Sequence, residues 1–213
     1  MSRLLEAHRL EFHRYGNPVF QPLDISLEAG RAIVLTGPNG VGKTTLLRLL
    51  AGILAPVRGS LVHNAPAAFV GHLPAVKGDL TCRENLDYER RVGPPGVGLA
   101  EALATVGLAG LGSRPSRALS AGQKRRLGLA RLLVRRTPVW LLDEPYASLD
   151  DAGCAGVDAL INGHLANGGG VVLATHQRHP KVDPERLDNI VMQAGIIEDG
   201  ADDDMNQAAE VSQ

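Results

Sequence analysis

The sequence predicts an α/β fold with a parallel-sheet core and a helical subdomain, and three patterns carry that prediction. An apolar segment at residues 32–35 runs straight into the glycine-rich stretch Gly37-Pro38-Asn39-Gly40-Val41-Gly42, and a helical pattern follows, giving a strand, a tight loop and a helix in succession. Two further apolar stretches, at residues 139–142 and 171–174, flank a helical pattern near 150–166. Strand, helix and strand in alternation build parallel sheets. Between these units, residues 77–135 carry a series of helical patterns.

Residues 19–36 hold two short apolar segments around Glu28-Ala29-Gly30, and the second has the composition of a buried strand. The helix after the glycine-rich loop spans 44–51 and stops at Gly52. Thr81 followed by Glu84 is a capping box that introduces a helix over 82–91, broken by Gly93-Pro94-Pro95-Gly96. Further helices are expected over 99–106 and from 121 or 122 to 134, the latter with Leu127, Ala130, Leu133 and Val134 on one face. Five acids fall within residues 198–204 ahead of a polar end, so 198–213 is expected to be a disordered acidic tail and 1–197 a single domain with its helical subdomain at about 77–135.

The 213 residues are 44% hydrophobic, 21% charged and 3% aromatic. The core is therefore built mainly from Leu, Val, Ile and Ala, and fibrous, collagenous and wholly disordered chains are excluded. Lys plus Arg number 22 against 23 Asp plus Glu, a net charge of -1, so the surface as a whole does not advertise nucleic-acid binding. Cys82 and Cys154 lie far apart with no Cys-x-x-Cys pair, which fits a reducing compartment and offers no zinc ribbon. Arg3, Glu6, His8 and Arg9 interrupt the apolar start, leaving no secretory signal core. No apolar run approaches the roughly 18 to 20 residues that cross a bilayer, so any work at a membrane is expected to go through partners.

Gly37-Pro38-Asn39-Gly40-Val41-Gly42-Lys43-Thr44 matches the phosphate-loop spacing of Gly, four residues, then Gly-Lys-Thr. The glycines let backbone N–H groups wrap a polyphosphate, the helix start adds positive potential, and Lys43 supplies a charge at the terminal phosphates. Thr44 would ligate Mg2+ through its hydroxyl; Thr45 completes the nucleotide-binding stretch, although capping and packing suit it better than coordination. The alternative is a glycine-rich turn with no ligand. Asp143-Glu144 ends the apolar stretch at 139–142, at the sheet edge where ligands bind. Asp143 then joins the metal shell and Glu144 serves as general base, the alternative being a solvated helix cap.

Leu119-Ser120-Ala121-Gly122-Gln123 resembles the Leu-Ser-Gly-Gly-Gln signature of the ATP-binding cassette family, with Ala121 as the departure. The resemblance implies a phosphate-loop ATPase fold with ATP and Mg2+ held between two copies of the chain. Ser120, Gly122 and Gln123 would then act on the γ-phosphate bound by the other copy. Ala147-Ser148-Leu149-Asp150 resembles the loop that contacts the partner copy, making Asp150 a dimer contact. His176, 33 residues after Asp143, resembles the switch histidine between γ-phosphate and attacking water. Tyr15 takes the place of the aromatic that stacks on adenine, with Phe12 and Phe20 as competitors. His72 occupies the place of the family's loop glutamine.

The run Gly-His-x-Pro-x-x-Lys-x-x-Leu-Thr at 71–81, with Glu84-Asn85-Leu86 and Ala174-Thr175-His176-Gln177, is similar to the cassette ATPase of the cytochrome c maturation heme export system. That implies transmembrane heme-exporter partners docked near residues 70–90, a place at the cytoplasmic face of the inner membrane, and coupling of ATP hydrolysis to heme delivery and release of the heme chaperone. The competing functions are a cassette ATPase for another small substrate and a soluble, nucleic-acid-associated one. Eight of the 22 cations fall within 114–136, including Lys124, Arg125, Arg126 and Arg131. We read that stretch as a solvated helix face and expect no nucleic-acid partner. His63, His164 and His179 sit in no heme-attachment motif and are assigned no iron.

Overall fold

The computed structural model of the chain describes residues 2–176 and 178–196; the acidic tail expected at 198–213 and the domain end at 197 lie outside them. The chain opens with β1 (Arg3–Glu11), a hairpin of β2 (His13–Arg14) and β3 (Asn17–Pro18), and β4 (Leu23–Glu28). The strand β5 (Ala32–Thr36) leads to α1 (Lys43–Leu50), followed by β6 (Arg58–His63) and β7 (Ala67–Val70). Three helices come next, α2 (Cys82–Arg90), α3 (Leu99–Thr105) and α4 (Ala121–Val134). The described chain then runs through β8 (Val139–Asp143), α5 (Asp151–Ala166), β9 (Gly170–Ala174) and β10 (Leu187–Val191).

Five strands form the expected parallel sheet in the order β10-β5-β9-β8-β7. Every residue of β8 and β9 is buried, because helices and a second sheet cover both faces, as parallel strands require. Alternate residues serve opposite layers. Ile33, Leu35, Leu141 and Val172 pack with Leu46, Leu47, Leu49 and Leu50 of α1 and with Leu5 and Leu27 of the first strands. Ala32, Val34, Leu142 and Leu173 pack on the other side with Val157 and Ile161 of α5 and Leu129 and Leu132 of α4.

The second sheet, antiparallel in the order β4-β1-β6, is absent from the sequence-based expectations. In β1, positive φ at Arg9 and register shifts that span it against both β4 and β6 break the two-residue alternation, and β6 is almost wholly exposed, so neither gives a periodic apolar signal. The helices α2, α3 and α4 enclose a separate core of Cys82, Leu86, Ala102, Leu103, Leu127, Ala130 and Val134. The capping box of α2 is present in both halves: Glu84 N–H donates to Thr81 Oγ1 at 3.2 Å and Thr81 N–H to Glu84 Oε2 at 2.8 Å.

The basic stretch at 114–136 departs from the expected solvated face. The charges of α4 are not a solvated face: Arg125 is 3% exposed, Arg126 donates to Gly107 O at 3.1 Å, and Arg131 pairs with Glu89 and reaches Pro74 O at 3.1 Å. The helix is wedged between two cores, with Leu129 and Leu132 in one and Leu127, Ala130 and Val134 in the other. Its cations therefore find carbonyls and a carboxylate rather than water.

Candidate active site

The strand order sets the site. Loops leave the carboxyl ends of β5, β9, β8 and β7, four neighbours in the sheet, and they carry Gly37–Lys43, Thr175-His176, Asp143-Glu144 and Gly71-His72 to one edge. Converging loops at such an edge are the ligand site of parallel α/β sheets.

The phosphate loop ends at Gly42, the left-handed N-cap of α1 at φ 102° with no side-chain cap. A Cβ there would come within 2.8 Å of Val19 Cγ1 and 2.9 Å of Phe20 Cδ1, so both backbone angle and space demand glycine. Gly42 being the cap, Thr45 does not perform the capping suggested for it and lies half-buried in the first turn. Pro38, Asn39, Gly40 and Val41 complete the loop, with Val41 buried in the core beside it. Lys43 is buried and its ammonium donates to Gly37 O at 2.7 Å and Pro38 O at 3.0 Å. The lysine is thus held within the loop whose ligand it would serve.

Thr44 Oγ1 donates to Asp143 Oδ2 at 2.9 Å. A hydroxyl and a buried carboxylate in contact are hard oxygen donors that suit Mg2+, an ion that takes few protein ligands and completes its shell with phosphates and water. The described residues contain no cluster of three or more His, Cys, Asp or Glu able to hold a metal.

Glu144 has a left-handed backbone, φ 51°, an uncommon conformation for a side chain of its size. Its N–H donates to Ala174 O at 2.9 Å and its C=O accepts from Ala147 at 3.1 Å, which hold the turn. His176 Nδ1 lies 2.6 Å from Glu144 Oε1. An ionised carboxylate only accepts, so Nδ1 carries the proton and Nε2 is left for another partner. The two side chains thus meet across neighbouring strands 32 residues apart.

Ser120 caps α4: its Oγ accepts from Gln123 N–H at 3.2 Å while Gln123 Oε1 accepts from Ser120 N–H at 3.0 Å. Gly122 sits against the following loop, where a Cβ would come within 2.7 Å of Ser148 O. Asp150 caps α5 through Oδ1, accepting from Gly153 N–H at 2.8 Å. The side chain of His72 is exposed, while its C=O and that of Gly71 accept from Arg125. Among the aromatics, Phe20 is fully buried and Phe12 packs on the core, whereas Tyr15 is 97% exposed at the tip of the β2–β3 hairpin.

Sequence reasoning missed Arg125 and a polar group behind the switch segment. There Tyr146 Oη donates to Asp158 Oδ1 at 2.7 Å, Lys181 N–H donates to the same oxygen at 3.1 Å, and Arg178 Nη2 stands 3.6 Å from Asp158 Oδ2. Burial, then the bond to Asp158, pushes the Tyr146 hydroxyl far above its ordinary pKa. The signal for Arg125 was legible: it lies four and seven residues before Leu129 and Leu132, on one buried stripe. Asp158 gave none, since its partners come from loops.

The family model for ABC transporters matches residues 20–147. The cytochrome c biogenesis ATP-binding export protein of Xanthomonas axonopodis pv. citri is 46% identical over 189 residues, covering 81% of this chain and 86% of that one. The protein of the same name from Nitrobacter winogradskyi is 47% identical over 182 residues, covering 81% and 91%. Among solved structures, an ABC transporter ATP-binding protein from Pyrococcus furiosus superposes with a TM-score of 0.76 at 25% identity, covering 89% of this chain and 97% of that one. With the phosphate loop, the paired carboxylates and the signature helix in this arrangement, the chain belongs to the ABC transporter family, as an ATP-binding, ATP-hydrolysing member.

Proposed function

We propose that the chain is the ATPase subunit of a membrane complex for cytochrome c maturation, coupling hydrolysis to heme export or delivery and to release of the heme chaperone. The observation that carries this reading is the 46% identity to a cytochrome c biogenesis ATP-binding export protein over 81% of the chain. The run Gly71-His72 to Thr81 supports it, since Asn85, buried, accepts from Lys77 N–H at 2.8 Å and donates to Ser116 Oγ at 2.9 Å, giving that run a fixed shape.

In this reading the phosphate loop and Lys43 hold the β- and γ-phosphates of ATP, and Tyr15 stacks on the adenine. Thr44 and Asp143 hold Mg2+, which supplies charge neutralisation at the phosphates. Glu144 accepts a proton from the attacking water as the water oxygen bonds to the γ-phosphorus and the bond to the bridging oxygen breaks. His176, donating to Glu144, fixes the carboxylate and leaves Nε2 to reach the γ-phosphate. Ser120, Gly122 and Gln123 act on ATP held by a second copy, Asp150 contacts that copy, and His72 stands at the glutamine position.

The partners are transmembrane heme-exporter subunits, which hold the chain at the cytoplasmic face of the inner membrane. No described helix is long and apolar enough to cross a membrane. Affinity purification of the chain from mild-detergent membranes, with subunit identification and an ATPase assay, tests this. Heme-handling membrane subunits are expected. A different permease keeps the chemistry and overturns the substrate, and nucleic-acid-stimulated hydrolysis without a membrane subunit overturns the membrane role.

A further inference from the structure

Arg125 is a charged group that the hydrolytic chemistry does not use. It is nearly inaccessible, and no carboxylate lies within ion-pair distance of it among the described residues. Its guanidinium instead donates from Nη1 to Gly71 O at 2.8 Å and from Nη2 to His72 O. Two parallel donors on two successive carbonyls use the planar fork of arginine, which lysine lacks. Burial lowers its pKa while the charges of Asp143 and Glu144 oppose that shift, so the cation sits within electrostatic reach of the site.

The contact is one of three on a single stripe of α4. Three residues on, Gly128 is so close to Pro74 that a Cβ would meet its Cβ at 2.9 Å. Three further on, Arg131 donates to Pro74 O at 3.1 Å. The backbone of residues 71–74 is thus gripped by the helix that begins at Ser120, while the side chains of His72 and Leu73, the latter 78% exposed, remain outside. A force applied to those side chains either moves α4 as well or breaks the Arg125 bonds.

We propose that Arg125 is a positioning residue that locks the Gly71-His72 backbone to α4, so that this loop and the signature at Ser120 move as one body. The proposal rests on the reading of Ser120 and Glu144 as parts of the hydrolytic site. The charge serves to fasten a loop that leaves β7 with no strand partner beyond Val70.

The test uses the complex purified with its membrane subunits, carrying Arg125→Gln or Arg125→Lys, with Glu144→Gln as a control. Amide hydrogen exchange over residues 71–74 and 121–126 is followed with and without ATP, beside kcat and KM. Wild type is expected to change protection in both segments together on adding ATP. In Arg125→Gln the response of 71–74 should separate from that of 121–126, with kcat down about tenfold and KM for ATP within about twofold. Arg125→Lys, which keeps the charge but not the fork, should show the same separation and a smaller loss of kcat; it decides the matter if the glutamine variant does not fold. Coupled exchange and wild-type kcat in the lysine variant would overturn the proposal, as would a loss of kcat that merely tracks a lowered melting temperature. The exchange readout does not require turnover, so wild-type hydrolysis by Glu144→Gln would sink the site assignment separately.

Discussion

Lys43 has a structural place that bears on its proposed role at the phosphates. Lys43 is buried and its ammonium is bonded to Gly37 O and Pro38 O, so the loop already curls around a cation. Hydrogen bonds to charged groups are worth about 1.5 to 3 kcal/mol, or roughly 10- to 150-fold in affinity. Lys43→Ala should therefore weaken ATP binding by about that factor in a calorimetric titration. The fold should survive, because both freed carbonyls lie in a surface loop that water can reach. Unchanged ATP affinity and turnover would remove Lys43 from the phosphate site. Glu144 and His176 make the complementary point: their meeting depends on a left-handed backbone at Glu144, which no local pattern in the sequence announces.

At the scale of elements, the pairing of Trp140 on β8 with His164 on α5 gives a prediction. Their rings stack at 3.7 Å between centroids and 7° between planes, and His164 Nε2 lies 3.0 Å from Pro138 O. Burial, partly offset by bonds to backbone groups at Pro138 and Gly170, lowers the imidazole pKa to about 4. The folded state therefore favours the neutral ring, and the stabilisation is present above the ordinary value near 6.5 and is lost as pH falls toward 4. Between pH 7.5 and 5 this linkage amounts to about 2 kcal/mol. Wild type should lose that much more stability than His164→Gln over the same interval in urea titrations, and parallel losses would show that the histidine is not the titrating group.

The legibility of the elements follows the same physics. β5, β8, β9, α1 and α4 were readable because burial on one or two faces writes itself into apolar runs or periodicity, and the phosphate loop because its glycines answer a backbone demand. β1 was hidden by its bulge at Arg9, and β10 by its place at the sheet edge with partly exposed residues. The Tyr146–Asp158–Arg178 group was hidden because its members come together only when α5 and the switch segment pack.

For the whole molecule, the decisive property of the proposed reading is that one chain presents two different parts of a site. The phosphate loop, Asp143, Glu144 and His176 gather at one sheet edge, whereas Ser120 stands at the start of a helix whose core is the separate cluster of Cys82, Leu86 and Leu127. In this family's arrangement the second set completes the first only across a pair of copies, so hydrolysis should be a property of the dimer. Specific ATPase activity of the purified chain should fall in proportion to concentration once dilution takes the pair below its dissociation constant, because the dimer fraction then scales with total protein. Glu144→Gln, expected to retain ATP without cleaving it, should sediment as a dimer with ATP and as a monomer without it. A specific activity that stays constant under dilution, measured where sedimentation shows only monomer, would mean that one chain hydrolyses ATP unaided and that Ser120 has no role in trans.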